Sequence, residues 1–235
     1  MSERFASAVI VAAGRGERFG NSGKVLSLAA GRPLLDWSLD VMLAAQTVQE
    51  IVVVCGEHTR DAIDRLIDDR HTGIPIRTCL GGEQRQDSVR AGLACLDAAV
   101  EVVIIHDAAR PLATAGMVDD VAVVARGHGA AITAVPVTDT IKEVDGDRIV
   151  RTVPRERLRA AQTPQAFRLD VLGPVVAGAR TAFTDEAGAL EEAGIPVLIR
   201  PGSHANMKVT VPEDLLLVEA LLARRQDEGV ADVSS

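Results

Sequence analysis

Short runs of apolar, β-branched residues recur along the chain, separated by longer segments in which apolar residues return every three or four positions. The first run, SAVIVA at residues 7–12, ends in a glycine-rich loop and predicts a fully buried strand. Further strands are predicted at residues 51–54, 74–80, 102–105, 131–135 and 196–199. Helices are predicted at residues 33–45, 59–68, 87–96, 114–125, 168–179, 185–192 and 212–223.

This alternation of strand and helix predicts the fold class. Strands joined through helices need right-handed crossovers, which give a mostly parallel sheet with helices on both faces. We therefore expect an α/β, Rossmann-like domain whose ligands bind beyond the carboxyl ends of the strands. Residues 1–223 are predicted to form this single domain, and the polar residues 224–235 a flexible C-terminal tail.

One stretch, residues 136–165, interrupts the alternation. It contains two apolar runs, at 141–144 and 149–153, on either side of the sequence DGD, and Asp-Gly between apolar runs is a strong hairpin signal. The pattern predicts a projecting β-hairpin arm. Because an isolated two-stranded sheet is only marginally stable, we expect a second copy of the chain to cover the arm in a homodimer.

Composition and charge limit the classes of partner. The 235 residues are 47% hydrophobic but only 2% aromatic, so stacking of nucleic-acid bases on aromatic side chains is not expected. The formal net charge of −8 argues against nucleic acid or an anionic membrane as the main partner. No apolar run is long enough to span a membrane and residues 1–7 do not resemble a signal peptide, so we expect a cytoplasmic protein.

The first candidate site is the segment AAGRGERFGNSGK at residues 12–24, directly after the first predicted strand. Its glycines let backbone N–H groups approach phosphate oxygens, and Arg18 and Lys24 can neutralise phosphate charge. The dinucleotide pattern G-x-G-x-x-G fails at Phe19, and the P-loop pattern fails because Val25 follows the lysine. Phosphate binding is the functional interpretation, and a glycine-rich turn with solvated charges is the structural alternative.

The loop resembles the signature A-A-G-x-G-x-R, followed shortly by lysine, of a family of nucleotidyltransferases. Further motifs follow in order, namely GGEQRQDSV at 81–89, HDAARP at 106–111, DT at 139–140, TPQ at 163–165, TDEA at 184–187 and NMKVT at 206–210. Together these motifs, which extend to about residue 217, resemble the 2-C-methyl-D-erythritol 4-phosphate cytidylyltransferases. The resemblance implies transfer of CMP from CTP to a sugar-alcohol phosphate in isoprenoid precursor biosynthesis, with release of pyrophosphate. It also implies Mg²⁺ or another divalent cation, held mainly by the CTP phosphates and not by protein ligands.

The resemblance also implies roles for individual residues. Those expected to act in catalysis, by stabilising charge on the triphosphate or by binding and orienting the acceptor, are Arg18, Lys24, Arg155 and Lys208. Those expected to contact the nucleotide are Ala12, Ala13, Gly14, Gly16, Gly81, Gly82, Ser88 and Asp107. Those expected to contact the acceptor are Asp107, Arg110, Thr140, Arg155, Thr184 and Lys208. Thr140 and Arg155 would reach the neighbouring subunit from the arm.

Several motif residues also have a structural interpretation. Asp87 or Ser88 could cap the helix that begins there, and Asp185 is more simply explained as the cap of a later helix. Arg110 could bind the acceptor phosphate or fix its own loop through a salt bridge. His106 is expected to be structural, because it points away from the next residue in an extended segment.

Two other functions stay open. A ribitol 5-phosphate cytidylyltransferase shares much of this motif set and differs in its acceptor, although the sequence AARP at residues 108–111 favours the erythritol enzymes. A noncatalytic nucleotide-binding sensor could use the same fold, but the simultaneous presence of the charged motif residues argues against it. Two departures, GKV around Lys24 and Pro154 before Arg155, leave the geometry of these loops and the preferred acceptor open.

Overall fold

The computed structural model describes residues 4–14, 16, 19, 23–97, 99–179 and 183–232, with side chains described up to residue 225. The strands are β1 (Ala6–Ala12), β2 (Leu28–Ala29), β3 (Arg32–Pro33), β4 (Val48–Cys55), β5 (Ile76–Leu80), β6 (Val102–Asp107), β7 (Ala130–Pro136), β8 (Ile141–Asp145), β9 (Arg148–Val153), β10 (Arg159–Arg168) and β11 (Leu198–Pro201). The α-helices are α1 (Leu34–Ala44), α2 (Arg60–Asp68), α3 (Arg85–Ala94), α4 (Ala115–His128), α5 (Leu169–Gly178), α6 (Glu186–Glu192) and α7 (Asp214–Asp232). Two short 3-10 helices occupy Lys24–Leu26 and Glu57–Thr59.

Seven strands form the central sheet in the order β11-β7-β10-β6-β1-β4-β5. Neighbouring strands are parallel except at β10, which is antiparallel to both β6 and β7. The predicted Rossmann-like, mostly parallel α/β architecture is therefore confirmed. The register pairs Ala12 with Cys55 and Cys55 with Leu80, so β1, β4 and β5 end together at one edge of the sheet. Functional groups are expected at this edge.

Apolar side chains cover both faces of the sheet, as the nearly continuous apolar strands predict. On one face, Ile10 packs with Leu39 of α1, in a cluster to which α2 and α4 also contribute. On the other, Val9 packs with Val89 of α3 and Leu172 of α5. Each such buried side chain contributes roughly 1.5–3 kcal/mol to stability. This double-sided core gives the loops at the strand ends a rigid base.

The sequence did not predict strand β10, which lies inside the central sheet. Residues 159–165 fell within the segment expected to form the arm, whereas Gln162 and Gln165 are buried between β6 and β7. Their side chains are polar and bond to other polar groups: Gln162 donates to the Ser203 carbonyl at 2.8 Å, and Gln165 donates to Asp185 at 2.9 Å. Burial of this kind leaves no hydrophobic signal in the sequence.

The arm itself is the hairpin β8–β9, with the turn at the predicted DGD sequence. Its two strands form a separate sheet, and nearly all of its residues are exposed.

Near the C-terminus, helix α7 extends to Asp232, so the backbone of most of the predicted tail is helical. The flexibility of the tail stays a prediction. Within the part of the chain that the structure describes, no helix has both the length and the apolar character needed to cross a membrane.

Candidate functional site

A cleft of about 250 Å³ opens where β1, β5 and β6 end. Four separated parts of the chain form its walls: the end of β1 with the loop that follows it, the start of α3 with the loop before it, the end of β6, and the segment before α7. The lining residues are Val11, Ala13, Gly14, Gly16, Lys24, Val25, Gly82, Glu83, Gln84, Arg85, Ser88, Asp107, Ala109 and Lys208. The cleft therefore occupies the position that the fold class predicts for a ligand.

The loop after β1 presents backbone to the cleft. Gly14 is exposed, and among the described residues no atom lies within 4 Å of the position that a Cβ atom would take there. Gly16 has a φ of +63°, in the left-handed region that favours glycine. An anion can approach backbone N–H groups closely in such a loop.

The opposite wall is held close to this loop by a small residue. A Cβ atom at Gly81 would lie 2.5 Å from the Ala13 Cβ and 2.6 Å from the Ser88 Oγ, so the two walls meet only because position 81 has no side chain. The buried Ser88 hydroxyl accepts a hydrogen bond from the Gly82 N–H at 3.3 Å and lies 3.3 Å from the Gln84 carbonyl oxygen, to which it donates. Ser88 thus fixes the loop that lines the cleft.

The helix caps at the cleft differ in part from the expectation. Helix α3 begins at Arg85, and its N-cap is Gln84, not Asp87 or Ser88. Asp87 instead takes the third helical position and accepts the Gln84 backbone N–H at 3.3 Å, which completes a capping box. The prediction for Asp185 is confirmed, because its side chain caps α6 by accepting the Gly188 N–H at 3.0 Å.

Asp107, at the end of β6, is surrounded by positive charge. Lys208 Nζ lies 2.8 Å from its Oδ2, Arg85 Nε lies 3.6 Å from its Oδ1, and Arg110 Nε lies 3.7 Å from its Oδ2. Burial alone would raise the pKa of the Asp107 carboxyl, but the charge of Lys208 and the two arginines outweighs burial and holds the pKa well below its usual range. Asp107 is therefore a carboxylate at neutral pH.

The segment before α7 is tied to the cleft through backbone carbonyls. Lys24 Nζ donates to the Val209 carbonyl at 2.9 Å, and the Val209 N–H donates to the Ala109 carbonyl at 2.9 Å. Arg110 donates to the Asn206 carbonyl at 2.9 Å. Lys24 and Lys208 thus enter the same cleft from opposite ends of the chain. Arg110 forms a salt bridge of 3.7 Å with Asp107, as one of its two interpretations predicted, and acceptor binding by Arg110 stays a prediction.

A buried polar pair supports Asp107 from inside the sheet. The Thr163 Oγ accepts the Asp107 N–H at 3.0 Å and lies 3.1 Å from His106 Nδ1. The Thr163 hydroxyl and His106 Nδ1 are hydrogen-bonded to each other, and the histidine tautomer sets which of them donates. Burial lowers the pKa of His106 to about 4, in agreement with a neutral ring. The prediction that His106 is structural is confirmed.

Comparison with known proteins identifies the family. A family model for 2-C-methyl-D-erythritol 4-phosphate cytidylyltransferase (IspD) matches residues 6–224. The chain belongs to this family. The 2-C-methyl-D-erythritol 4-phosphate cytidylyltransferase of Frankia casuarinae is 47% identical over 221 residues, which cover 93% of this chain and 81% of that protein.

Other members of the cytidylyltransferase family agree in length and fold. The 2-C-methyl-D-erythritol 4-phosphate cytidylyltransferase of Dehalococcoides mccartyi strain CBDB1 is 40% identical, over 92% of this chain and 96% of that protein. The crystal structure of 4-diphosphocytidyl-2C-methyl-D-erythritol synthase from Anaerococcus prevotii matches with a TM-score of 0.83 and 29% identity, over 94% of this chain and 99% of that one. The resemblance predicted from the motifs is therefore confirmed over almost the whole chain.

The cytidylyltransferase cleft gathers many, but not all, of the predicted site residues. It brings together Ala13, Gly14, Gly16, Lys24, Gly82, Ser88, Asp107 and Lys208. Gly81 lines an adjoining cavity of about 320 Å³, and Ala12 is buried at the end of β1. Thr184 is exposed just before α6. Arg18 lies outside the described residues. The roles of all these residues stay predictions.

Thr140 and Arg155 lie outside the cleft of their own subunit. Both are exposed at the base of the arm, where the first and last paired residues of the hairpin, Ile141 and Val153, lie opposite each other. The Arg155 guanidinium donates to the Thr138 carbonyl. The fold therefore brings the two residues to one end of the arm, and their roles at an acceptor stay predictions.

Two charged residues of this site were not predicted from the sequence, namely Arg85 in the cleft wall and the buried Glu186 behind it. Arg85 lines the cleft and donates to the buried Glu186 carboxylate at 2.7 Å. Both residues belong to motifs of the cytidylyltransferase family, but each stands near a helix start, where charged residues are common. The signal that could have identified them is their contact with each other, which the sequence does not reveal because 101 positions separate them.

The cleft suits a divalent cation only if phosphate oxygens supply most of its ligands. Across the described residues, no group of three or more His, Cys, Asp or Glu side chains is placed to hold a metal ion. Asp107 is engaged by Lys208, Arg85 and Arg110. Since Mg²⁺ commonly binds one or two carboxylates together with substrate phosphates and water, the residues present fit an ion that arrives with a nucleotide.

Proposed function

We propose that the protein transfers the CMP group of CTP to 2-C-methyl-D-erythritol 4-phosphate and releases pyrophosphate, a step in the synthesis of isoprenoid precursors. Membership of the cytidylyltransferase family over residues 6–224 supports this function. The observation that carries it is a single cleft in which an open glycine loop, Lys24, Arg85, Asp107 and Lys208 converge. Positively charged side chains are concentrated in the cleft although the chain as a whole carries a net charge of −8.

The proposed reaction needs positioning and charge stabilisation and no protein nucleophile. An oxygen of the acceptor phosphate attacks the α-phosphorus of CTP and forms a new phosphoanhydride bond. The bond from the α-phosphorus to the bridging oxygen of the β-phosphate breaks, and pyrophosphate leaves with both electrons of that bond. The acceptor phosphate is already anionic, so no residue has to remove a proton from it.

The chain's own residues would bind and orient the two substrates. The glycine loop after β1 would donate backbone N–H groups to the triphosphate, while Lys24 and Arg18 would stabilise its charge as the bond breaks. Lys208 would exchange part of its contact with Asp107 for the attacking phosphate, and Asp107 would accept hydrogen bonds from substrate hydroxyls. A Mg²⁺ ion bound to the triphosphate would neutralise further charge.

We also propose a cytoplasmic homodimer whose arms complete the acceptor sites. Three apolar side chains of the arm, Val144, Ile149 and Val150, are between 57% and 59% exposed in the single subunit. A second copy of the chain would cover them, and Arg155 at the base of the arm would then bind the acceptor phosphate of the neighbouring subunit. Arginine suits this role because its planar guanidinium binds a phosphate through two hydrogen bonds.

Release of pyrophosphate tests the proposed function directly. The purified protein would be assayed with CTP and Mg²⁺ in the presence of 2-C-methyl-D-erythritol 4-phosphate, ribitol 5-phosphate or no acceptor. Release only with the methylerythritol phosphate supports the proposal. Preference for ribitol 5-phosphate would reassign the acceptor, because recognition of hydroxyl groups discriminates strongly between such substrates. Binding of CTP without turnover on either acceptor would indicate a sensor.

A further inference from the structure

Glu186, the first residue of α6, is a carboxylate with no exposed surface. Its Oε1 accepts a hydrogen bond of 2.7 Å from the Arg85 guanidinium, and among the described residues its buried Oε2 has no hydrogen-bond partner. Burial raises the pKa of this carboxyl group although the charge of Arg85 acts in the opposite direction. A buried ion pair of this kind is weak support for stability, and an unsatisfied oxygen is a cost. The arrangement therefore calls for a functional explanation.

Arg85 connects this carboxylate to the cleft. It is the first residue of α3, it lines the cleft, and its side chain is 25% exposed. The guanidinium is shared between two acids, with Nη1 2.7 Å from Glu186 and Nε 3.6 Å from Asp107. Glu186 thus lies behind Arg85, away from the cleft, while Asp107 lies within it.

The geometry around Asp107 shows what this sharing achieves. Among the described residues, Lys208 makes the closest ion pair with the Asp107 carboxylate, at 2.8 Å, whereas Arg85 stays at 3.6 Å. An arginine beside an accessible carboxylate normally forms a close pair with two hydrogen bonds. Without the pull of Glu186, Arg85 would close onto Asp107 and occupy the carboxylate oxygen that substrate hydroxyls need.

We propose that Glu186 is a positioning residue that holds Arg85 in the wall of the cleft, where its guanidinium contacts the nucleotide, and keeps it from closing onto Asp107. The inference rests on the proposed function. This proposal has a distinguishing consequence. Glu186 acts through Arg85 alone, so once Arg85 has been replaced, replacing Glu186 as well should cause no further loss of activity.

The test uses four full-length variants: Glu186→Gln, Arg85→Ala, the double variant, and Glu191→Gln on the exposed side of the same helix as control. Gln is nearly isosteric with Glu and keeps an oxygen for Arg85, but it removes the charge that attracts the guanidinium. We expect Glu186→Gln to lower kcat/KM for CTP about 10-fold, mainly through KM for CTP, with an unchanged KM for the acceptor. The control should keep wild-type kinetics.

The double variant separates positioning from a purely structural role. If Glu186 acts through Arg85, the double variant should be no slower than Arg85→Ala alone. Losses that multiply, or a Glu186→Gln variant with a lower Tm and wild-type kinetics, would overturn the inference. Calorimetric titration with CTP and Mg²⁺ in the absence of acceptor gives a readout independent of turnover, and should show about 10-fold weaker binding for Glu186→Gln.

The outcomes also separate this inference from the proposed function. A wild-type protein that releases no pyrophosphate with any acceptor would contradict the proposed function. A wild-type protein that is active, together with a Glu186→Gln variant that binds and turns over CTP equally well, would contradict only the positioning role of Glu186.

Discussion

At the scale of single residues, the cleft depends on groups whose protonation is fixed by their surroundings. Asp107 stays a carboxylate because Lys208 and two arginines offset its burial, so it can accept hydrogen bonds but has no proton to give at neutral pH. His106, its neighbour in the strand, stays neutral because burial disfavours its charged form. The two residues differ in charge state although they are adjacent, since one faces cations and the other faces Thr163.

His106 should make the stability of the protein depend on pH. The pKa is about 4 in the folded protein and 6.5 for an ordinary histidine, so the unfolded chain binds a proton first as the pH falls. The contribution of the neutral His106 ring to the free energy of unfolding is complete above pH 6.5. It falls between pH 6.5 and pH 4 and does not change further below pH 4. Between pH 7 and pH 5 the free energy of unfolding should drop by about 2 kcal/mol because of this residue.

Urea denaturation at pH 7 and pH 5 would measure this effect. The fall in the free energy of unfolding between pH 7 and pH 5 should be about 2 kcal/mol smaller in His106→Gln than in the wild type, because glutamine does not titrate. This difference does not depend on the absolute stability of the variant. The control His128→Gln, at an exposed position of α4, should keep the wild-type pH dependence. Equal pH dependence in wild type and His106→Gln would contradict the assignment of a buried neutral ring.

Gly81 should be essential for the shape of the cleft. In Gly81→Ala the new methyl group would lie 2.5 Å from the Ala13 Cβ and 2.6 Å from the Ser88 Oγ, so the two walls must separate. We expect kcat/KM for CTP to fall roughly 10- to 100-fold in steady-state assays, because displacement of binding groups by about 1 Å is costly. The control Gly127→Ala, in open space on α4, should keep wild-type kinetics and gain about 0.5–1 kcal/mol of stability.

At the scale of elements, the arm is a part of the structure whose apolar side chains are not buried within the subunit. Within the described part of the chain, strands β8 and β9 pair only with each other, and their apolar side chains Val144, Ile149 and Val150 are largely exposed. The strands on either side of the arm, β7 and β10, pair with each other inside the central sheet. The arm therefore projects from a paired base in the central sheet, which is compatible with the proposed role of Arg155 at a partner subunit.

A heterodimer would test whether the arm serves the neighbouring site. We propose to co-express Arg155→Ala and Lys208→Ala subunits with different affinity tags, and to purify the mixed dimer. If Arg155 acts in the partner's site, one of the two sites in the mixed dimer has both side chains, and about half of wild-type activity should return. If Arg155 acts in its own subunit, both sites lack one residue and the mixed dimer stays as inactive as either parent.

At the scale of the whole molecule, the apolar runs were enough to predict the fold class. They did not predict the strand in which polar side chains are buried. Strands β1, β4 and β6 were predicted because their side chains are nearly all apolar. Strand β10 was not, since Gln162 and Gln165 are buried through contacts with distant polar groups. The motifs gave eight of the fourteen residues that line the cleft, but the Arg85–Glu186 pair exists only after the chain folds.

Binding of CTP should stabilise the folded protein as a whole. At a concentration 100 times its Kd, CTP with Mg²⁺ should add about 2.7 kcal/mol to the free energy of unfolding and raise the Tm by roughly 5–10 °C. Differential scanning calorimetry would measure the shift, and it should shrink in high salt because the cleft attracts the triphosphate through charge. An equal shift with GTP at the same concentration would contradict selection of the cytosine base.

The ties between the cleft and residues 206–209 also determine when during synthesis the site can form. A ribosome releases the chain in order, so Lys24 and Arg110 emerge long before Asn206 and Val209, whose carbonyls they bind. Until then Asp107 lacks Lys208, the contact that most strongly holds it as a carboxylate. A nascent chain can therefore build the first strands of its sheet as they emerge, but it cannot assemble the complete cleft before residues 206–209 have been translated.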